Sequence, residues 1–456
     1  MEKGMISVDR WSEESQAYFL THLHADHTKG LSSNWRKGPL FCSPITAKLF
    51  PPKFPDFDLS FIRVLEIGTS HSLALLSPSS GSKITFHVTV IDADHCPGAV
   101  MFLFEGEFGR LLYTGDFRWE GTSERALEGK SVLVEALKGG TVDFLYLDNT
   151  YCNPSFLFPP REVVANQVVK IISAYPDHDV IIAINTLGKE DLLIHIAKAL
   201  NIKTILVINE PHLAFCWPLK IWVWPERLQT MHLLGFHGIF TTNTSLTRVR
   251  AVPMYSFSIN TLEELNKMRP TIGIMPSGLP WVVKRLDQND YSVGSLKVFQ
   301  GPKRGTATDQ DHVCRNQKYE DISPYTKLHR YIYSVPYSDH SCFSELQEFF
   351  KLVKPMNIRG IVSSSTCYID PLYYLGKLSD SDKLIEGTNM KLHKLKVDES
   401  GESSQGKSVC CNLSIGARFR RKSSKKISSL GVRSGRVTST RRSKRGVSIA
   451  EIASGV

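Results

Sequence analysis

The stretch Thr21-His22-Leu23-His24-Ala25-Asp26-His27 places three imidazoles and one carboxylate within six residues. So many polar groups are too costly to bury without partners, and together they are a ligand set for a divalent metal ion. A catalytic ion needs three or four protein ligands and an open position, so further donors should follow downstream. Two fit. His95 stands in Asp92-Ala93-Asp94-His95-Cys96-Pro97-Gly98, and Asp116 in Tyr113-Thr114-Gly115-Asp116-Phe117. An ion held by these groups would lower the pKa of a bound water from about 15.7 to about 7 and give hydroxide at neutral pH. The expected chemistry is therefore metal-assisted hydrolysis.

Each donor follows a short apolar run that reads as a strand. Ala17–Leu20 precedes the histidine cluster, His87–Ile91 precedes His95, and Leu111–Tyr113 precedes Asp116. Phe144–Leu147 leads in the same way to Asp148, and the predicted strand Tyr331–Val335 leads to His340. Strand ends that open into Gly-containing turns can aim such side chains into one pocket. Pro51-Pro52-Lys53-Phe54-Pro55 and Ser77–Ser82 are expected as surface loops. From Arg161 the texture changes. Helical spacing over 161–174, an apolar strand over 179–184, a helix over 191–200 and a strand over 205–208 predict a parallel α/β unit. A helix over 344–353 and a last strand over 358–362 follow.

At 456 residues the chain suits two or three domains. Met1-Glu2-Lys3-Gly4 does not read as a secretory segment, and no run is apolar and long enough to span a bilayer, so no membrane association is expected. Nine scattered cysteines without a Cys-x-x-Cys pair fit a reducing compartment. The net charge of +10 is unevenly placed: residues 416–456 hold twelve Lys/Arg and one Glu, leaving 43 basic against 44 acidic residues elsewhere. Beyond about Val397 the Ser-, Gly-, Lys- and Arg-rich composition predicts disorder. The clusters Arg418–Lys422 and Arg441–Arg445 suit nuclear import or phosphate contact.

Asp9, His22, His24, Asp26, His27, His95 and Asp116 together resemble the metallo-β-lactamase motifs, and Asp148 and His340 resemble those of the β-CASP branch. Asp94–Gly98, Thr114–Arg118 and Leu187-Gly188-Lys189-Glu190 are similar to the Apollo/Artemis family of DNA-repair nucleases, and Ile6–Trp11 is nearest its Apollo branch. The resemblance spans about residues 1–375. It implies an α/β fold: a metallo-β-lactamase αββα sandwich from 1–160 and 326–396, an inserted α/β β-CASP domain over 161–325, and a disordered basic tail over 397–456.

The resemblance also implies roles. His22, His24 and His95 hold one metal with Asp116, while Asp26 and His27 face a second position shared with Asp116. Asp9 orients the ligand loop from outside the metal shell. His340 donates to a phosphate oxygen or protonates a leaving oxygen, with Asp148 orienting it, and Thr150, Lys189 and Ser341 contact phosphate. The cofactor is Zn2+ at one tight site, with Zn2+, Mg2+ or Mn2+ at a weaker second site. The implied enzyme is a nuclear, monomeric 5′-to-3′ exonuclease acting on DNA with a free 5′ end. It serves cross-link repair, break repair or telomere processing, with repair or telomere proteins reached through the tail.

An RNA-processing endonuclease of the same fold, a thioester hydrolase of the glyoxalase type and a non-catalytic scaffold are the alternatives. RNA-cleaving relatives carry a histidine after the final strand, where this chain reads Ser363-Ser364-Ser365-Thr366. The second ion is thereby short of a ligand. One ion per chain is expected to survive purification, with the second needing added divalent metal; elemental analysis finding two tightly held ions overturns this.

Overall fold

A computed structural model describes residues 5–12, 14–207, 219–278, 326–362, 370–378 and 447–448, all within one compact unit. Three sheets organise them. The first runs Val447–Ser448, Ile6–Val8, Ala17–Phe19, Leu40–Cys42, Ile62–Val64 and is parallel apart from the Val447–Ser448 edge. The second has the order Pro355–Gly360, Val142–Leu147, Gly109–Tyr113, Val100–Gly106, Lys83–Asp92, Ser70–Leu76. Its first three strands are parallel, and the rest form an antiparallel meander.

Period-2 patterning packs these two sheets together. Val100, Phe102 and Phe104 join Phe86, Val88 and Val90 in one buried cluster with Ile6, Val8, Ala17 and Phe19 of the first sheet. Phe19 meets Phe102 and Phe104 edge-on at centroid distances of 5.3 and 5.0 Å. The alternate residues, Met101 and Leu103, point outward into a second cluster with Leu133 and Leu137 of the helix Glu124–Leu137 and Leu346 and Phe349 of the helix Phe343–Val353. On the first sheet's outer face, Tyr18 and Leu40 share that cluster with Leu49 and Phe50 of the helix Pro44–Lys53. Helix, sheet, sheet and helix are thus layered as the αββα expectation required.

The third sheet has the order Phe240–Thr241, Ile221–Trp222, Val249–Pro253, Asp179–Ile184, Thr271–Pro276, Ile332–Val335, Thr326–His329. All its pairings are parallel except that of Thr326–His329. Asp179–Ile184 lies at its centre and is buried throughout, which is why it reads as an unbroken apolar run. Ile332–Val335 pairs with Thr271–Pro276 in this sheet, so the chain leaves the α/β layer after Val335 and not at the expected 326.

Three local expectations fail. Pro51 and Pro52 lie inside the helix Pro44–Lys53 and not in a loop. They occupy its last turn, where their fixed φ matches the helix although each removes one N–H donor. The predicted strand over 205–208 is instead the end of the helix Glu190–Val207. No Gly or Pro between Leu200 and Val207 interrupts the helical hydrogen bonds, so the β-branched residues follow. Finally, Val447–Ser448 lies within the stretch expected to lack structure, yet it pairs with Val8 and Ser7. The exposed edge of Ile6–Val8 offers free backbone groups to any extended segment in reach.

Gly115 shows how tightly the site end is built. It adopts φ +56°, and a Cβ there would sit 2.9 Å from Thr21 Cγ2. Gly115→Ala is expected to destabilise the protein by about 1–3 kcal/mol, read as a lower denaturation midpoint. An unchanged midpoint overturns the packing argument.

Candidate metal centre and active site

The functional side chains gather where strands end together. Val8 and Phe19 end parallel neighbours, delivering Asp9 and the Thr21–His27 loop. Tyr113 and Leu147 end another parallel pair, delivering Asp116 and Asp148. Asp92 ends the long strand before His95, opposite Val100, whose N–H donates to Thr21 O at 3.1 Å. Convergence at the carboxyl ends of strands is the usual placement of a site in α/β architecture.

Six of the expected residues meet here. His22 Nε2 and His95 Nε2 lie 3.0 and 3.1 Å from His24 Nδ1. Asp116 Oδ2 is 3.8 Å from His22 Nε2, 3.9 Å from His95 Nε2 and 4.0 Å from His340 Nε2. Asp116 Oδ1 is 3.3 Å from His27 Nε2. Three compact donor groups result: His22, His24, His95 with Cys96; His22, His27 with Asp116; and His95, Asp116 with His340. Asp26 is half-buried and joins none of the three groups, although its charge acts on His24 and on Lys53.

The opposite ring nitrogens explain why the cluster fits a cation. His24 Nε2 lies 3.0 Å from Leu187 O, and His95 Nδ1 lies 2.7 Å from Asp339 O. A carbonyl oxygen only accepts, so both of these nitrogens carry the proton. Thr21 Oγ1 donates to Asp9 Oδ2 at 2.7 Å and must therefore accept from His22 Nδ1, 3.0 Å away. The three remaining nitrogens face one another as bare lone pairs. Lone pairs that close repel without a cation between them, whereas ligands about 2.0–2.1 Å from a tetrahedral zinc stand about 3.3 Å apart. The donor set fits a divalent ion.

Burial keeps these rings neutral: His22 is held well below its ordinary value, His24 falls to about 4, and His95 to about 3 with help from His340 and His24. His27 goes the other way. Burial opposes it, but Asp116 and Asp9 hold its proton up to about 10. Asp9 is buried, with φ 51°, and its carboxylate takes Thr21 N at 2.9 Å and His27 Nδ1 at 2.6 Å. It lies behind the Thr21–His27 loop and holds both of that loop's ends.

His340 Nδ1 stands 2.7 Å from Asp148 Oδ2. Although burial opposes it, His340 holds the Asp148 carboxyl below its usual range. Arg118 carries the His340 loop: buried, it donates to Ser338 O at 3.1 Å and His340 O at 3.4 Å while pairing with Glu345 at 2.9 Å.

The three expected phosphate contacts are each engaged within the protein. Thr150 Oγ1 donates to Asp148 Oδ1 at 2.6 Å. Ser341 is buried, donates to Phe117 O at 3.0 Å and accepts from Trp119 N. Lys189 is buried with its ammonium 2.7 Å from Asp339 Oδ2. Burial opposes ionisation of Asp339, yet Lys189 draws it down to about 2. Lys189 thus braces the carbonyl that orients His95. Sequence reasoning missed Cys96, Arg118, Asp339 and the Leu187 carbonyl. Cys96, Arg118 and Leu187 stand inside motif phrases and could have been singled out, but the carbonyl contacts of Leu187 and Asp339 are with histidines distant in sequence. Ser363–Thr366, with Ser365, lies outside the described residues.

Comparison with known proteins agrees with this geometry. Residues 236–366 match a family described as DNA repair metallo-beta-lactamase. The chain is 37% identical over 374 residues to the 5′ exonuclease Apollo of Gallus gallus, covering 81% of this chain and 64% of the relative. It is 36% identical to that of Mus musculus, covering 79% of this chain and 54% of the relative. Against the DNA cross-link repair protein SNM1 of Arabidopsis thaliana it is 29% identical, covering 76% and 61%. The chain thus spans less than two thirds of the length of these relatives.

Two outcomes follow. His24 and His95 are neutral when folded but have unfolded values of 6.5, so their stabilisation is complete above pH 6.5 and is lost as pH falls through about 4 and about 3. The melting temperature of chelator-treated protein should decline over that range; a flat profile from pH 6.5 to 4 contradicts it. Asp9→Asn should weaken metal retention by about 10–100-fold in chelator competition, and unchanged retention removes Asp9 from the site.

Proposed function

We propose a metal-dependent nuclease that hydrolyses DNA phosphodiester bonds as a 5′-to-3′ exonuclease in nuclear DNA repair, in a chain whose residues 236–366 match the DNA repair metallo-beta-lactamase family. The observation that carries the reading is the Asp148–His340 pair, 2.7 Å apart, with His340 Nε2 4.0 Å from the carboxylate around which the metal donors gather. The His340 side chain is 21% exposed, so it meets both solvent and site. The 5′ direction and the DNA-repair setting are supported by the printed names of the relatives, and the nuclear location and free 5′ end are inferred from that setting.

His22, His24 and His95 would hold one ion, with His27 and Asp116 serving a second; Zn2+ suits the imidazole-rich group, and Zn2+, Mg2+ or Mn2+ the carboxylate side. Bound divalent ions supply Lewis acidity and offset the charge that develops on the phosphodiester. The protein does the rest. Asp148 holds His340 Nδ1 and fixes the ring, so that Nε2 faces the site and can deliver a proton to the departing oxygen. Phe117 N and Thr150 Oγ1 donate to the same carboxylate and keep it from turning away. Asp9 holds His27 and Thr21, which keeps the ligand loop in register.

With end-labelled single-stranded DNA and RNA, with and without a 5′ phosphate, DNA should be digested from its 5′ end. His340→Ala should lower kcat by about 100–10,000-fold without lowering metal content, and Asp148→Asn should do the same to a smaller degree. RNA cut as fast as DNA overturns the substrate; wild-type rates in His340→Ala overturn the proton donor.

A further inference from the structure

Cys96 has no part in the chemistry above, yet its sulfur belongs to a four-member donor group among the described residues. Sγ lies within 4.8 Å of one ring nitrogen each of His22, His24 and His95, all mutually within that distance. The side chain is 2% exposed. Its single hydrogen bond reaches Pro97 O at 4.0 Å, the outer limit for sulfur. A buried thiol held that weakly is available to a better partner. The three neighbouring lone pairs aim at such a partner, because Leu187 O, Asp339 O and Thr21 Oγ1 occupy the far side of each ring.

We propose that Cys96 is a reserve ligand which turns the His22–His24–His95 position into a three-nitrogen, one-sulfur site for soft metal ions. Cd2+ is such an ion, and hard ions such as Mn2+ are not. On binding, the S–H bond breaks, a metal–sulfur bond forms and the proton passes to solvent. Four donors then surround the ion in the closed arrangement of a structural site, leaving no open position for substrate. The donor group would thus distinguish an ion that leaves sulfur outside, and room to react, from one that recruits sulfur and blocks the position. The inference rests on the metal-centre reading above.

The test uses the full chain stripped of metal and titrated with Cd2+ alone. Wild type should develop sulfur-to-cadmium charge-transfer absorption that saturates with the first ion bound. Cys96→Ser should lose that band and bind Cd2+ at least about tenfold more weakly, whereas Cys42→Ser, a change at a buried thiol outside the donor groups, should keep it. X-ray absorption at the cadmium edge of wild type needs no variant and should find one sulfur among the first neighbours. Cadmium surrounded only by nitrogen and oxygen, or a band that persists in Cys96→Ser, overturns the reserve-ligand role and leaves the metal centre standing. Failure to bind Cd2+ at all overturns both.

Discussion

Everything at this site depends on where three protons sit. Imidazole can present either nitrogen, and a metal cage exists only if each ring turns its bare nitrogen inward. Here the choice is made from outside by Leu187 O for His24, Asp339 O for His95 and the Asp9–Thr21 hydroxyl relay for His22. Two of these three acceptors are backbone carbonyls, so no side-chain change removes them directly. They move only if the chain that carries them moves.

Those carbonyls are contributed by chain around the third sheet, not by the sandwich that supplies the histidines. Buried charges hold them in place. Arg227 donates to Thr186 O at 2.6 Å and Gly188 O at 2.8 Å on either side of Leu187, and it pairs with Glu190 at 2.8 Å. Lys189 pairs with Asp339, and Arg118 holds the residues on both sides of it. A buried pair broken on one side leaves a bare charge and costs about 3–5 kcal/mol. The electrostatics that keep the third sheet's loops folded are therefore the same electrostatics that set the ligand tautomers. Asp94 and Lys189, both non-glycine residues at positive φ, stand next to His95 and Gly188 in the chain.

Much of this could be read from the sequence, for physical reasons. Alternating strands end in turns, and a His or Asp just beyond such an end has few places to go, so His22, His95, Asp116 and Asp148 were legible. The layered αββα fold followed from runs such as Val100–Phe104, whose alternate residues serve two different clusters. Errors arose where partners lie far along the chain or where composition misleads. Lys189 looked like a free cation because Asp339 is 150 residues away. Ser341 looked available because nothing local reveals that Phe117 O and Trp119 N occupy its hydroxyl. Pro51 and Pro52 read as loop residues because the sequence does not show that a helix already under way can carry them through its last turn.

The short pairing of Val447–Ser448 with Ile6–Val8 bears on how the molecule meets other chains. Ile6–Val8 would otherwise be a bare outer strand of the first sheet, immediately ahead of Asp9. Outer strands invite strand addition by any extended peptide, a common route to both regulated recruitment and unwanted self-association. With its own distal residues seated there, the protein competes intramolecularly for that edge. A foreign segment gains the position only by outbidding a tethered rival.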